Sequence, residues 1–186
     1  GPDGAVYMID WYDKQHCHTN NTEAWDRSDG RIYRMSWKET YKPVKVDLWA
    51  ESTEELARRV TSKDEWSSRT ARRILQERPS AARSINGRRL NALLWGDGSA
   101  HQSLRAMWLR HAAGGSGSID WLAHEDENVR AWAVRLGIDE QSLIHEQALR
   151  IAKTDASAMV RLAIASGLPA FEEEDRWELA MVLAAR

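Results

Sequence analysis

The 186-residue chain has one cysteine, Cys17, and one phenylalanine. A single thiol excludes an internal disulfide framework and any CxxC zinc or haem site within these residues. No stretch approaches the ~20 consecutive apolar residues that a bilayer span needs. An excess of charge of one sign is also missing. Lys and Arg total 26 against 28 Asp and Glu, a formal net charge of -2, which removes a chain-wide electrostatic case for nucleic acid or anionic membrane. The first residue is not Met, and no basic start followed by an apolar core marks a signal peptide. Because Gly1-Pro2 leads almost at once into a strand with no partner, the sequence reads as a piece of a longer protein. What is abundant is ordinary for a water-soluble globular chain, with 42% hydrophobic and 29% charged residues, except for ten Trp.

The pattern divides near position 50. Gly1-Pro2-Asp3-Gly4 is turn chemistry, and Ala5 to Trp11 is rich in strand formers. A polar stretch from Asp13 to Asp26 follows, then the turn signal Asp29-Gly30 and a second strand, Arg31 to Met35. Two strands joined by a long polar loop are marginal alone, so residues 1–35 call for a larger sheet. Residues 36–50 read as a connector around Pro43. From Glu51 onward Ala, Leu, Arg and Glu dominate, and Ser52-Thr53-Glu54-Glu55 opens a helix with a capping hydroxyl and early carboxylates. The spacing predicts helices over 53–61, 65–78, 86–95, 100–113, 118–124, 127–137, 141–153, 156–167 and 173–185.

Those helices repeat. Arg69, Arg105, Arg130 and Arg161 occupy matching places in successive second helices, separated by 36, 25 and 31 residues. Asp64, Asp97, Asp126 and Asp155 precede them near the intervening turns. Repeats of this length built from helix pairs bury their apolar faces only by stacking on neighbours, which predicts an α-solenoid. Trp66, Trp95, Trp108, Trp121, Trp132 and Trp177 fall at apolar-periodic positions and are expected to fill space between repeats.

Segment 51–186, with its turn aspartates and Val-Arg steps at Val129-Arg130 and Val160-Arg161, resembles degenerate HEAT repeats. The resemblance implies that Asp126, Arg130, Asp155 and Arg161 bridge neighbouring turns. Ser68 departs from the pattern where an aliphatic residue is usual, and Asp97 stands further from Arg105. The stretch from Gly1-Pro2-Asp3-Gly4 to Trp11, followed by Asp29-Gly30-Arg31-Ile32-Tyr33-Arg34, is similar to the closing blade of soluble-glucose/sorbosone dehydrogenase propellers. The order of propeller end and helical repeats is similar to planctomycete-type membrane-bound dehydrogenases. The implied architecture is mainly α: an α-α superhelix of HEAT-like repeats preceded by a short antiparallel β segment. Its domains are 1–35 (last-blade strands), 36–50 (linker) and 51–186 (helical repeats). The family also implies a periplasmic or cell-envelope location, and a parent that uses pyrroloquinoline quinone, calcium and a downstream c-type haem.

The densest set of potential ligands lies at Asp10, Asp13, His16, Cys17 and His18. In an extended segment His16 and His18 project to one side, where imidazoles beside carboxylates can bind a transition metal or take a proton from a hydroxyl. The alternative is a polar connection whose histidines make local hydrogen bonds. If the propeller resemblance holds, His16 and His18 are the catalytic candidates and Asp10 and Asp13 the cofactor-binding ones, since calcium prefers carboxylate oxygen. Cys17 lacks an orienting group and reads as a passive thiol. His101, His111, His124 and His145 show no metal-ligand spacing and read as surface or turn residues. The basic pairs Arg58-Arg59, Arg72-Arg73 and Arg88-Arg89, and the acidic run Glu172 to Asp175, read as separate solvated faces rather than a nucleic-acid surface. Two function classes follow. One is the tail of a quinone-dependent sugar or alcohol dehydrogenase, with no catalysis by this piece alone. The other is a non-catalytic scaffold that binds a protein partner along the solenoid.

Overall fold

The computed structural model describes residues 1–10, 20–21, 30–39, 41–42, 44–78 and 99–186. They fall into two units, Gly1–Asp47 and Leu48–Arg186. The first holds a two-stranded antiparallel ribbon, β1 (Val6–Ile9) and β2 (Ile32–Met35), in the register Val6↔Met35 to Ile9↔Ile32. The opening turn works as its composition suggests. Gly4 takes φ +75, and the Asp3 carboxylate accepts the Ala5 N–H at 3.1 Å and the Tyr7 hydroxyl at 2.9 Å. Both faces of the ribbon are open: Ile9 and Ile32, directly opposite each other, are each 75% exposed.

Seven α-helices are described in the second unit: α1 (Thr53–Val60), α2 (Glu65–Glu77), α3 (Ala100–Ala112), α4 (Glu127–Asp139), α5 (His145–Thr154), α6 (Ala158–Gly167) and α7 (Glu173–Ala184). Each of the first four starts on a side-chain cap. Ser52 and Glu55 form a reciprocal capping box for α1, and Asp64, Ser99 and Asp126 accept the first N–H groups of α2, α3 and α4. Ser157 does the same for α6. Residues 48–50, placed in the connector by sequence, form a 3-10 turn with Leu48 buried against α2. Arg78 anchors it by donating to the Trp49 and Glu51 carbonyls at 2.6 and 2.7 Å.

α2, α3, α4 and α6 pack one on the next in that order, while the turn at Ser118–Trp121 packs on α4, and α5 packs on α7. Ala131, Val134, Leu143, Ala148, Ile151, Val160, Ile164 and Leu179 form one core across α4 to α7. Each large aliphatic side chain buried there contributes about 1.5–3 kcal/mol of transfer energy. Ser68, the departure from the aliphatic pattern, is buried with its hydroxyl donating to the Val60 carbonyl at 2.7 Å. A satisfied polar group thus replaces a methyl at no hydrogen-bond loss.

Three expectations are corrected. The predicted helix at 118–124 is a single 3-10 turn over Ser118–Trp121. Gly117 enters it at φ +105, and the N–H groups of Leu122 and His124 close back three residues, to Ile119 and Trp121. The helix predicted from 141 begins at His145 instead, because Gln141 takes φ +54 and the N–H groups of Ser142 and Leu143 both return to the Gly137 carbonyl. Residues 140–144 therefore finish α4. Trp177, expected to fill space between helices, is 65% exposed. The predicted helix at 86–95, with Trp95, lies outside the described residues.

The ribbon gives a first prediction. Ile9→Lys should lower self-association of the protein, because a charge on an open strand blocks edge pairing. Light scattering should fall while the melting of the helical unit stays unchanged. Unchanged scattering would mean that the ribbon does not drive association.

Candidate functional site

The arginine of each Val-Arg step grips the turn before its helix. Arg130 Nη1 donates to the carbonyls of His124 and Glu125, both at 2.8 Å. Its Nε and Nη2 make a two-pronged pair with Asp155, at 2.8 and 3.0 Å, in the turn between α5 and α6. The guanidinium is 17% and the carboxylate 10% exposed, so water screens the pair little. Hydrogen bonding from Arg130, against opposing burial, holds the Asp155 carboxyl below the usual carboxylate range. A second link runs the other way, from the Ser157 hydroxyl to the Glu127 carboxylate. Two successive turns are thereby riveted by polar groups at both ends of α4's first turn.

Arg161 repeats the first half of this arrangement. Its Nη1 donates to the carbonyls of Asp155 and Ala156, at 2.8 and 3.1 Å, the same two steps back along the chain as for Arg130. Among the described residues its Nε and Nη2 meet no carboxylate. Leu162 is 59% exposed, whereas Ala131, at the matching place in α4, is fully buried. Met159, Trp177 and Met181 are also exposed on α6 and α7. The last two helices carry apolar side chains at the surface, and one of them, Leu162, follows Arg161 in the chain.

Two of the four turn residues thus bridge neighbouring turns and two do not. Arg130 and Asp155 meet. Asp126 serves as the cap of α4, accepting the N–H groups of Asn128 and Val129 at 2.8 and 3.2 Å. Arg161 grips only its own turn. Arg105 reaches the other way, to the Val60 and Ser62 carbonyls where α1 ends and to Glu65, the first residue of α2.

The sequence signal missed a buried carboxylate with several donors on it. Glu140, at the end of α4, has a carboxylate only 6% exposed. Its Oε2 accepts the N–H groups of Gly117 and Ser118, both at 3.1 Å. Its Oε1 accepts the Ser118 hydroxyl at 2.5 Å and lies 3.2 Å from His111 Nδ1. Burial pushes the Glu140 carboxyl up, but the donors of Ser118, His111 and Gly117 together bring it below its ordinary value. The only hint in the sequence is Gly117-Ser118, a glycine step followed by a hydroxyl, with no mark at Glu140 itself. Two of the four histidines read as surface or turn residues, His111 and His145, stand between helices. His111 lies between Asp139 and Glu140, and His145 in α5 lies between Asp175 and Glu178 of α7.

Of the ligand-rich segment, Asp13, His16, Cys17 and His18 lie outside the described residues. Asp10 follows β1, where its carboxylate sits 3.6 Å from the Arg31 guanidinium and 3.5 Å from the Tyr33 hydroxyl. Among the described residues no group of three His, Cys, Asp or Glu side chains could hold a metal ion. No helix described is long and apolar enough to cross a membrane. Comparison with protein-family models, with curated proteins and with solved structures returns no match.

Proposed function

We propose that residues 48–186 are a HEAT-like α-α superhelix that acts as a scaffold, taking a helical protein partner against α6 and α7. One observation carries this reading. Arg161 copies Arg130's grip on its own turn, and among the described residues nothing takes the two donors that Arg130 gives to Asp155. Leu162 beside it stands exposed where its counterpart Ala131 is covered by the next helices. The partner that fits is a helix pair with a carboxylate in its turn and small or aliphatic residues behind it. Apolar contact would supply affinity and the two-pronged pair would set register.

A photo-crosslinking residue at Leu162 tests this in an extract of the native cell. The expected result is a discrete protein adduct, absent with the crosslinker at exposed Arg150 and lost with Arg161→Glu. An adduct that survives Arg161→Glu, or none above the control, overturns the reading. Adduct formation by the purified protein alone would identify the partner as a second copy.

A second reading concerns residues 1–47. A ribbon with Val6, Ile9, Ile32 and Met35 all exposed suits a place inside a larger sheet, such as the closing blade of a quinone-dependent sugar or alcohol dehydrogenase. The residues that would hold pyrroloquinoline quinone and calcium are not assembled among the described ones. Asp10 alone is present, and Arg31 and Tyr33 already face its carboxylate. No catalytic step is derived from that resemblance.

A further inference from the structure

We propose that the cleft between α2 and α3 is a binding site for a monoanionic carboxylate carried on an aromatic body. It is an open cleft of about 430 Å³, within the size range of small-ligand sites. Its wall brings three guanidinium groups, Arg69, Arg72 and Arg105, against one carboxylate, Glu65. Two of the three are occupied. Arg105 donates to Glu65 and to the Val60 and Ser62 carbonyls, and Arg69 Nε lies 3.2 Å from Glu65.

Arg72 is different. Its guanidinium carbon stands 5.5 Å from the centre of the Trp108 ring, and among the described residues no carboxylate lies within ion-pair distance of it. Burial, together with the charges of Arg69 and Arg105, pushes this guanidinium below its ordinary value, so positive charge here is under-compensated. A guanidinium laid on an aromatic face keeps its in-plane N–H groups for an acceptor, and a planar carboxylate matches that fork.

The rest of the wall selects the ligand. Trp108 is held from behind by Trp132, edge to face at 5.2 Å, and Trp132 in turn carries Arg135 at 5.3 Å. Leu104 and the part of the Trp108 indole that Arg72 leaves uncovered line the cleft and offer apolar contact to a hydrocarbon body. Glu65 lines the same cleft and repels a second negative charge, which favours a monoanion over a phosphate. None of these residues belongs to the α6–α7 surface, so the site stands or falls apart from the scaffold reading.

The test uses the whole chain, labelled with nitrogen-15, titrated with benzoate, acetate and inorganic phosphate at matched ionic strength. Benzoate should saturate the shifts of the Arg72 Nε–H and Trp108 indole N–H signals with a Kd of about 1 mM or tighter. Acetate and phosphate should each bind at least about fivefold more weakly. Arg72→Ala should weaken benzoate at least about tenfold with unchanged melting, and Arg72→Lys should fall between, since it keeps charge but loses the planar fork. Shifts that grow linearly and are matched by chloride overturn the proposal, as does full benzoate binding by Arg72→Ala. Phosphate saturating ahead of benzoate overturns the ligand class.

Discussion

Replacing Glu140 with alanine is expected to destabilise the helical unit by about 2–4 kcal/mol, a fall in Tm of roughly 5–15 °C. The loss does not come from the carboxylate's own contacts alone. Its removal strands the N–H groups of Gly117 and Ser118 and the Ser118 hydroxyl, all pointing into a nearly closed site. Each stranded donor costs about 1–3 kcal/mol when buried. Glu140→Gln separates this account from simple packing. The amide keeps the volume and an acceptor oxygen for the two N–H groups, while its NH2 faces the Ser118 hydroxyl and His111 Nδ1, which can turn to accept, so it should cost about 1–2 kcal/mol, less than alanine. Asp139→Ala, one residue earlier and 70% exposed, should cost less than about 0.5 kcal/mol. The pH dependence has a definite sign. The folded carboxyl lies below its unfolded value, so its contribution is complete above the unfolded pKa and is lost as pH falls through the folded one. The stability gap between the parent chain and Glu140→Gln should therefore narrow from roughly pH 5 downward. Denaturant melts at several pH values measure it, and a gap independent of pH would show that the ionised form is not what stabilises the turn.

The helices were legible in the sequence because each start is a local event. Ser52 with Glu55, Asp64 and Asp126 announce themselves within four residues, and the apolar spacing behind them fixes the buried face. The errors fall where a distant group overrides local pattern. Residues 118–124 have helical composition, yet the N–H groups of Gly117 and Ser118 go to Glu140, more than twenty positions on. Gln141 is a good helix former, but the end of α4 holds it in the left-handed region, with Ser142 and Leu143 folding back on Gly137. The exposed place of Trp177 was equally hidden, since periodicity marks a face as apolar without saying what covers it. The same limit applies to the cleft at Arg72. Sequence shows a basic pair, Arg72-Arg73, while structure separates them into one guanidinium on Trp108 and one 3.8 Å from Glu77.

Breaking the Arg130–Asp155 pair is expected to produce the second large effect, and one that sets it apart from its incomplete copy. Arg130→Ala should cost about 2–3 kcal/mol, because it removes a two-pronged ion pair and two carbonyl bonds while leaving a carboxylate of 10% exposure without its cation. Asp155→Ala should cost about 2 kcal/mol, since the Ser157 N–H also loses its acceptor at 2.8 Å. The double variant should fall short of the sum by about 1–2 kcal/mol, the coupling of a hydrogen-bonded pair of limited exposure. Arg161→Ala removes only the bonds to the Asp155 and Ala156 carbonyls and should cost about 1 kcal/mol. The sign of the pH effect follows from Asp155, whose carboxyl is held low mainly by Arg130. Its stabilisation is present above the unfolded aspartate pKa and disappears as pH falls through the folded value, so the coupling should vanish in acid. Equal losses for Arg130→Ala and Arg161→Ala would mean that the link between turns adds nothing beyond each arginine's grip on its own turn. That result would also remove the ground for expecting a carboxylate opposite Arg161, because the half-used fork is informative only if filling it matters at Arg130.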